Sequence, residues 1–171
     1  STVNGIDAND FQVSDIGKVN IQSTYGKYTI MGQSAEEFPS EPVVTDGNSL
    51  VIASYELLDI INSTVYATSR DEMKPVLQGV LLNIDSEGVT AVATDGHRLV
   101  RLKKFDLKKG SFNGSVIVPV KFLSILKPFL GDKDSLNIKV GENHIQVEKE
   151  NVKISSRLVK DRYPDYESVI P

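Results

Sequence analysis

The residues best suited to chemistry lie together in the segment Asp95-Gly96-His97-Arg98. A carboxylate two positions before a histidine could serve a hydrolase in acid and base catalysis, and both side chains can bind metals. The only other histidine, His144, lies in a different predicted hairpin. A structural interpretation competes with the catalytic one: Asp95 and Gly96 take the positive-φ positions of a hairpin turn, and His97 and Arg98 begin the next strand.

Sequence motifs of the common enzyme classes are absent. The glycines form no phosphate-binding pattern of the Walker A type, and neither G-x-S-x-G nor H-E-x-x-H occurs. Because there is no cysteine, disulfides, Cys-ligated zinc and thiol catalysis are excluded. The sequence therefore predicts no catalytic residue, no metal and no cofactor. A hydrolase remains open only if Asp95 and His97 line a closed pocket with a third polar group.

The composition is that of a globular protein with one complete domain and part of another. Of the 171 residues, 40% are hydrophobic and 25% are charged, and single domains usually have ~100 to 150 residues. The net charge of −4 disfavours a conventional tight DNA-binding domain, but not a protein that surrounds DNA, since topological linkage needs no strong phosphate contacts. No segment has the ~20 apolar residues of a membrane span or the features of a signal peptide, so a cytoplasmic location is expected.

The front of the chain predicts an antiparallel meander of three strands. Tyr25-Gly26-Lys27 supplies a turn, and the strands are Phe11 to Ser14, Val19 to Ser23 and Tyr28 to Met31. The segment from Gln33 to Gly47 contains Pro39, Pro42 and Asp46-Gly47 with little periodicity, which is typical of a linker. We therefore place a domain boundary there, with residues 1–46 before it and residues 47–171 after it.

The longer part begins with a strand, a helix and three further strands. Ser54 can cap the helix, and Leu57, Leu58, Ile61 and Val65 recur at helical spacing. Asp71 to Pro75 ends this helical region. The predicted strands are Leu50 to Ile52 before the helix, and Gly79 to Asp85, Val89 to Thr94 and His97 to Lys103 after it.

The same order of elements then recurs. Pro119 is suited to the first turn of a second helix, which Leu123 and Leu126 line with Ile125 beside them and which Pro128 ends. The predicted strands are Ser115 to Val118 before this helix, and Leu136 to Ile138, Ile145 to Lys149 and Val152 to Ser156 after it; Leu136-Asn137-Ile138 repeats Leu82-Asn83-Ile84. Residues 48–157 thus predict an α+β fold with a pseudo-twofold repeat, in which two helices lie on one side of antiparallel sheets.

Four segments in order carry a resemblance to a known family. They are Ala35 to Pro39, Ala93 to Leu99, Ser115 to Lys121 and Leu158 to Tyr166. They resemble segments of the beta subunit of bacterial DNA polymerase III, the replicative sliding clamp. The resemblance identifies residues 47–171 as a middle clamp domain, and residues 1–46 as the remnant of the first domain with its linker.

The resemblance implies a non-enzymatic processivity factor. In this family, two subunits of three domains form a homodimeric ring around duplex DNA, with helices facing the hole and sheets outside. Replicative polymerase, clamp loader and repair proteins insert short linear peptides into a pocket between the middle and last domains. The wall from the middle domain would consist of Lys74, Leu77, Thr94, Gly96, His97, Arg98, Leu99, Pro164, Ser168 and Val169.

The chain departs from the family pattern at this pocket. The family commonly has arginine at the position of Lys74 and often at that of Ser168, and lysine lacks the planar fork for bidentate bonds. An aromatic pair that some members use to contact DNA is replaced by Pro75 and Val76. The altered residues predict a changed peptide preference and argue against a DNA-gripping role for this loop.

Basic side chains near the helices have two interpretations. Arg70 at the end of the first helix, together with Lys121 and Lys127 of the second, could face DNA weakly and in a salt-sensitive way, or simply form a solvated face. Glu56 and Asp59 dilute any positive patch. A β-rich ligand-binding or adhesion module is another alternative, which the absence of tryptophan and of a signal peptide disfavours.

Overall fold

The computed structural model describes residues 8–38, 40, 42, 44, 48–105 and 109–170. The chain divides into two compact units, Ser1–Glu41 and Pro42–Pro171. This division falls inside the predicted linker, of which Pro39 and Asp46-Gly47 lie outside the described residues. The linker is not wholly irregular, because Ala35–Glu37 forms a 3₁₀ turn.

The first unit is the predicted meander. Strands β1 (Ala8–Val13), β2 (Lys18–Ser23) and β3 (Gly26–Met31) pair antiparallel in that order. The expected turn at Tyr25-Gly26-Lys27 is wrong by one position. Ser23 pairs with Gly26, so the connection consists of residues 24 and 25 alone.

The second unit contains both copies of the predicted repeat. The first copy consists of β4 (Ser49–Ala53), α1 (Ser54–Thr64), β5 (Gly79–Ile84), β6 (Gly88–Thr94) and β7 (Leu99–Phe105). A two-residue strand that was not predicted, β8 (Lys109–Gly110), follows. The second copy consists of β9 (Gly114–Pro119), α2 (Val120–Leu126), β10 (Ser135–Val140), β11 (His144–Lys149) and β12 (Val152–Arg157).

The two copies exchange strands, which gives the unit its pseudo-twofold order. One sheet runs β7-β6-β5-β9, and the other runs β12-β11-β10-β4-β8. Each sheet therefore takes three strands from one copy and the strand before the helix from the other. The repeated tripeptides lie on corresponding strands but two positions out of step: Asn83 pairs with Ser115 of β9, whereas Asn137 pairs with Val51 of β4 and Lys139 pairs with the corresponding Ser49. Neither copy can complete its sheet alone.

Both helices bury one face in a common core with the inner faces of the sheets. Leu57 and Ile61 of α1 and Leu123 and Leu126 of α2 are buried, as predicted. Ile60 is buried in place of the predicted Leu58 and Val65, which are only half-buried. The described helices have 11 and 7 residues, and none is long and apolar enough to cross a membrane.

Two predicted helix starts are wrong in detail. Ser54 does not cap α1, because it is the first residue of the helix and Ala53, with extended backbone, precedes it. The Ser54 Oγ instead accepts a hydrogen bond from Gly131 N at 3.2 Å. The first amides of α1 instead donate to the loop after α2: Ser54 N to Asp134 O (2.8 Å) and Tyr55 N to Asp132 O (3.1 Å). Pro119 ends β9 and lies before the first turn of α2, not within it.

Lys149 fixes the loop that caps α1. Its ammonium donates to Phe129 O at 3.0 Å and pairs with the carboxylates of Asp132 and, at 3.9 Å, Asp134. The Lys149 ammonium lowers the pKa of Asp132 from 3.8, and the Asp132 carboxylate raises that of Lys149 from 10.5. The pair therefore stabilises the fold fully between about pH 4 and pH 10. Its contribution falls in acid as Asp132 takes up a proton, and in alkali as Lys149 loses one.

We expect Lys149→Met to lower the melting temperature at pH 7, because the loop loses its anchor. Thermal denaturation followed by circular dichroism measures the change. Lys133→Met, in the same loop, is the matched control and should leave the melting temperature nearly unchanged. Equal melting temperatures for Lys149→Met and the parent chain would contradict this role.

Candidate functional site

The turn between β6 and β7 is built by side chains that bond to its own backbone. Thr94 Oγ1 donates to Arg98 O (2.7 Å) and accepts from Gly96 N (3.1 Å). Asp95 Oδ1 accepts from His97 N (2.9 Å) and Arg98 N (3.0 Å). His97 and Arg98 therefore lie in the turn, and β7 begins at Leu99. Only Gly96, with φ +92°, has positive φ here, so the expectation that Asp95 shares it is wrong.

Asp95 is a structural carboxylate. The bonds from the backbone N–H groups of His97 and Arg98, helped by the Arg98 guanidinium (Nε to Oδ2, 2.9 Å), lower its pKa from 3.8 to about 2. It contacts the backbone of His97, whose side chain is exposed. Both residues line a cleft that is open to solvent. The described residues also contain no group of three or more side chains arranged to hold a metal.

A polar cleft lies beside this turn. It encloses about 610 Å³ between the turn and the segment after α1. We call it the basic cleft. It is lined by Tyr66, Thr68, Ser69, Arg70, Asp71, Lys74, Asp95, His97 and Arg98. The placement of Arg70 at the end of the first helix is therefore wrong: α1 ends at Thr64, and Arg70 lies in the cleft with Lys74.

A second, smaller apolar cluster lies on the face of the β7-β6-β5-β9 sheet that is turned away from the main core. Its buried members are Leu81, Val92, Ile117 and Tyr163, with Val76, Leu99, Val159 and Tyr166 around them. Leu81 and Leu82 are neighbours on β5 and lie on opposite faces of the sheet, so Leu81 belongs to this cluster and Leu82 to the main core. The sheet is thus covered on both faces.

The segment after β12 provides this outer cover. Val159 N donates to Ile117 O (3.1 Å), Tyr163 OH donates to Val92 O (3.4 Å), and Asn83 Nδ2 donates to Tyr166 OH (3.1 Å). Burial raises the pKa of Tyr163 from 10.0 to about 12. Tyr163 therefore ties this segment to β6 just before the turn.

The structure brings most of the predicted pocket residues to this end of the sheet. Leu99 packs against the outer cluster, Lys74, His97 and Arg98 line the basic cleft, and Thr94 and Gly96 shape the turn. Leu77 is buried, and its carbonyl accepts from Ser69 N of the cleft at 2.8 Å. The remaining three follow Tyr163 and are exposed: Pro164, Ser168 and Val169.

Sequence reasoning missed Tyr163 as a site residue. A signal for it was present, because β6 is a continuous run of small and apolar residues rather than an alternating one. Such a run is typical of a strand covered on both faces. The segment Leu158 to Tyr166 is the part of the chain that covers the second face.

The basic residues predicted to face DNA do not form one cluster. Lys121 is exposed on α2, Lys127 is half-buried in the 3₁₀ turn Lys127–Phe129, and Arg70 belongs to the basic cleft. Asp59 of α1 pairs with Lys104 of β7. Neither Lys121 nor Lys127 lines the basic cleft, and their orientation toward DNA stays a prediction.

The chain matches known proteins throughout. The family model described as "DNA polymerase III beta subunit, central domain" matches residues 51–165. The beta sliding clamp of Bacillus subtilis is 33% identical over 154 residues, which are 88% of this chain and 40% of that protein. The chain thus spans less than half of this relative.

Solved structures agree with the sequence match. The DNA polymerase III beta chain of Streptococcus pneumoniae covers 99% of this chain with a TM-score of 0.83 and 28% identity, and 46% of that structure is matched. The DNA polymerase sliding clamp of Bacillus subtilis covers 94%, with a TM-score of 0.80 and 29% identity over 43% of its own length. These matches confirm the α+β clamp fold, and the chain belongs to the DNA polymerase III beta subunit family.

Proposed function

We propose that this chain is part of a longer sliding clamp, a processivity factor that encircles duplex DNA and tethers DNA polymerase to it. The observation that carries the proposal is the match of residues 51–165 to the family's central domain, together with a clamp fold over 99% of the chain. Tethering makes rebinding of the polymerase intramolecular, so its effective concentration at the primer rises and dissociation no longer ends synthesis.

The first unit is proposed to be the end of a preceding clamp domain. Its three-stranded meander corresponds to β5-β6-β7 and β10-β11-β12, each of which is completed by a strand from the other copy. Phe11, Ile21 and Tyr28 pair side by side and share one face, which is apolar as in those sheets. The intact protein would then be a homodimeric ring of six such domains.

The partner-binding site is proposed to be the rim of the β6-β7 turn. The half-buried Leu99 offers apolar surface, Val169 adds an exposed side chain, and Lys74, His97 and Arg98 form the polar border, while Leu77 itself is buried. A short apolar peptide from the polymerase, the clamp loader or a repair protein would fit there. Ser168 Oγ donates to Asp165 O at 2.8 Å, so the position where relatives often have arginine is used within its own turn.

Catalysis is not part of the proposal. Asp95, the strongest candidate for acid and base chemistry, is used to hold the turn. ATP hydrolysis for loading would belong to a separate clamp loader. The protein is proposed to act in the cytoplasm, and its contacts with the DNA backbone, through residues such as Lys121 and Lys127, are proposed to be weak.

Retention on DNA of different topology tests the clamp function. We expect the natural full-length protein, loaded by its clamp loader with ATP, to remain on nicked circular DNA at least about tenfold longer than on linear DNA of the same length, because only linear DNA has ends from which a ring can slide. Gel filtration of the labelled protein with each DNA measures this. Equal retention on both DNAs would refute the proposal.

A further inference from the structure

The outer edge of β9 is covered by the chain at one point. β9 is an edge strand of the sheet β7-β6-β5-β9, at the opposite edge from β7. Ile117 forms an isolated antiparallel bridge with Val159, and Val159 N donates to Ile117 O at 3.1 Å. Alternate residues of an antiparallel strand direct their backbone groups toward the same neighbour. Ser115, which is exposed, therefore directs its N–H and C=O away from β5, as Ile117 does.

The corresponding edge of the other sheet shows how such a position is closed. Ser49 of β4 corresponds to Ser115 of β9. Its carbonyl accepts hydrogen bonds from Ser111 N (2.9 Å) and Phe112 N (3.1 Å), and its N–H donates to Ser111 Oγ (3.2 Å). Ser111 directly follows β8, whose pairing with β4 matches the bridge of Val159 to β9. At β4 the chain thus satisfies both backbone groups of the edge serine.

The chain does not repeat this closure at Ser115. Among the residues that the structure describes, neither the N–H nor the C=O of Ser115 has a hydrogen-bond partner across the edge, and its hydroxyl donates to Asn83 Oδ1 at 2.6 Å. The cause is Tyr163, whose burial in the outer cluster draws the segment after Val159 over the face of the sheet. The edge at Ser115 is therefore left with an unpaired donor and acceptor.

A cavity of about 460 Å³ lies between this edge and the segment that leaves it. Its lining combines the buried, apolar Leu81 and Ile117 with the polar side chains of Asn83 and Ser115. Residues 160–162, which are exposed, also line it. The site thus offers backbone pairing beside apolar surface, which is the combination that a peptide in extended conformation requires.

We propose that the β9 edge binds an extended segment of a partner protein by strand addition at Ser115, with an apolar side chain of the partner in the cavity. Ser111-Phe112 is the model for this segment, because it makes the same contacts to Ser49. The partner is therefore expected to have serine or threonine followed by a large apolar residue. A second copy of the chain fits less well, since its own residues 160–162 lie beside the same edge. This site is separate from the proposed partner site at the β6-β7 turn.

Peptides with blocked backbone donors test the proposal on the natural full-length protein. The probe is the acetylated and amidated hexapeptide Lys-Gly-Ser-Phe-Asn-Gly, which has the sequence that starts at β8. We expect it to shift the Ser115 amide signal in spectra of the deuterated, ¹⁵N-labelled protein. N-methylation of its serine and phenylalanine should weaken binding at least about tenfold, because two backbone donors are lost. N-methylation of its first and last residues is the matched control and should weaken binding less.

Protein variants locate the bound peptide. Ser115→Pro removes the outward N–H at a position where an edge strand tolerates proline, and should abolish binding. Ser115→Ala retains that N–H, loses the hydroxyl bond to Asn83, and should bind within about threefold of the parent chain. Melting temperatures of both variants check that they are folded. Equal binding of all peptides, or signal shifts confined to Ser49 or to the β6-β7 turn, would overturn the inference and leave the proposed clamp function standing. Self-association that Ser115→Pro abolishes would assign the edge to a second copy and overturn it as well.

Discussion

Replacing Tyr163 by alanine is expected to lower the free energy of unfolding by about 3 kcal/mol, the cost of removing a large buried aromatic side chain. Tyr163 is 8% exposed and lies among Leu81, Val92 and Ile117 on the outer face of the sheet. Without it the segment that carries Pro164 and Val169 loses its main anchor. Urea denaturation measures the stability, and we expect partner binding to fall with it.

The variant Tyr163→Phe separates the contribution of the aromatic ring to stability from that of the hydroxyl group. The hydroxyl bond to Val92 O is long, at 3.4 Å, so this variant should retain most of the stability. Because burial raises the pKa of Tyr163 from 10.0 to about 12, its stabilisation is complete below pH 10 and is lost as pH rises through 12. Absorbance titration should show one late tyrosine that Tyr163→Phe removes. A Tyr163→Ala variant as stable as the parent would contradict the anchoring role.

Truncating Leu99 to alanine is expected to weaken polymerase binding about 30-fold or more, as for an apolar residue at the centre of an interface. Leu99 begins β7 directly after the turn and packs against the outer cluster, so it contributes to stability as well as to the proposed site. Since it is only half-buried, we expect a loss of roughly 1 kcal/mol in unfolding free energy, which leaves the domain folded. Calorimetric titration of the full-length variant with polymerase measures the affinity.

Two further variants separate binding from stability. Val169 is 68% exposed, so Val169→Ala should weaken polymerase binding without a change in melting temperature. Leu130→Ala removes a half-buried leucine that packs on the main core away from the turn, and should lower stability without affecting the affinity of the folded protein. Unchanged affinity for both Leu99→Ala and Val169→Ala would remove the turn from the partner site.

The repeat was predictable because its signals are local. Apolar residues at helical spacing predicted α1 and α2, and the tripeptide Leu136-Asn137-Ile138 marked the equivalent strand of the second copy. The exchange of β4 and β9 between sheets was not predictable from those patterns, since strand order depends on contacts between segments distant in sequence. Ser54 illustrates the same limit, because a loop some 80 residues later supplies acceptors for the α1 amides.

The turn was predicted in position but not in conformation. Asp95-Gly96 is a strong hairpin signal, but the Asp95 carboxylate accepts hydrogen bonds from the backbone N–H groups of both His97 and Arg98. These two residues therefore belong to the turn, and β7 begins only at Leu99. Arg70 was misplaced because the helical spacing of apolar residues continues to Val65 and gives no sign of how the chain runs afterwards. The structure places it in a cleft that no linear motif announces.

Hydrogen–deuterium exchange of the natural full-length protein, with and without DNA polymerase III of the same organism, tests the central claim most directly. We predict that polymerase slows amide exchange in the turn after Thr94 and in the segment around Val169, while the exposed face of α2 at Lys121 is unaffected. Slower exchange confined to α1 and α2, with the turn unchanged, would contradict a partner site at this rim.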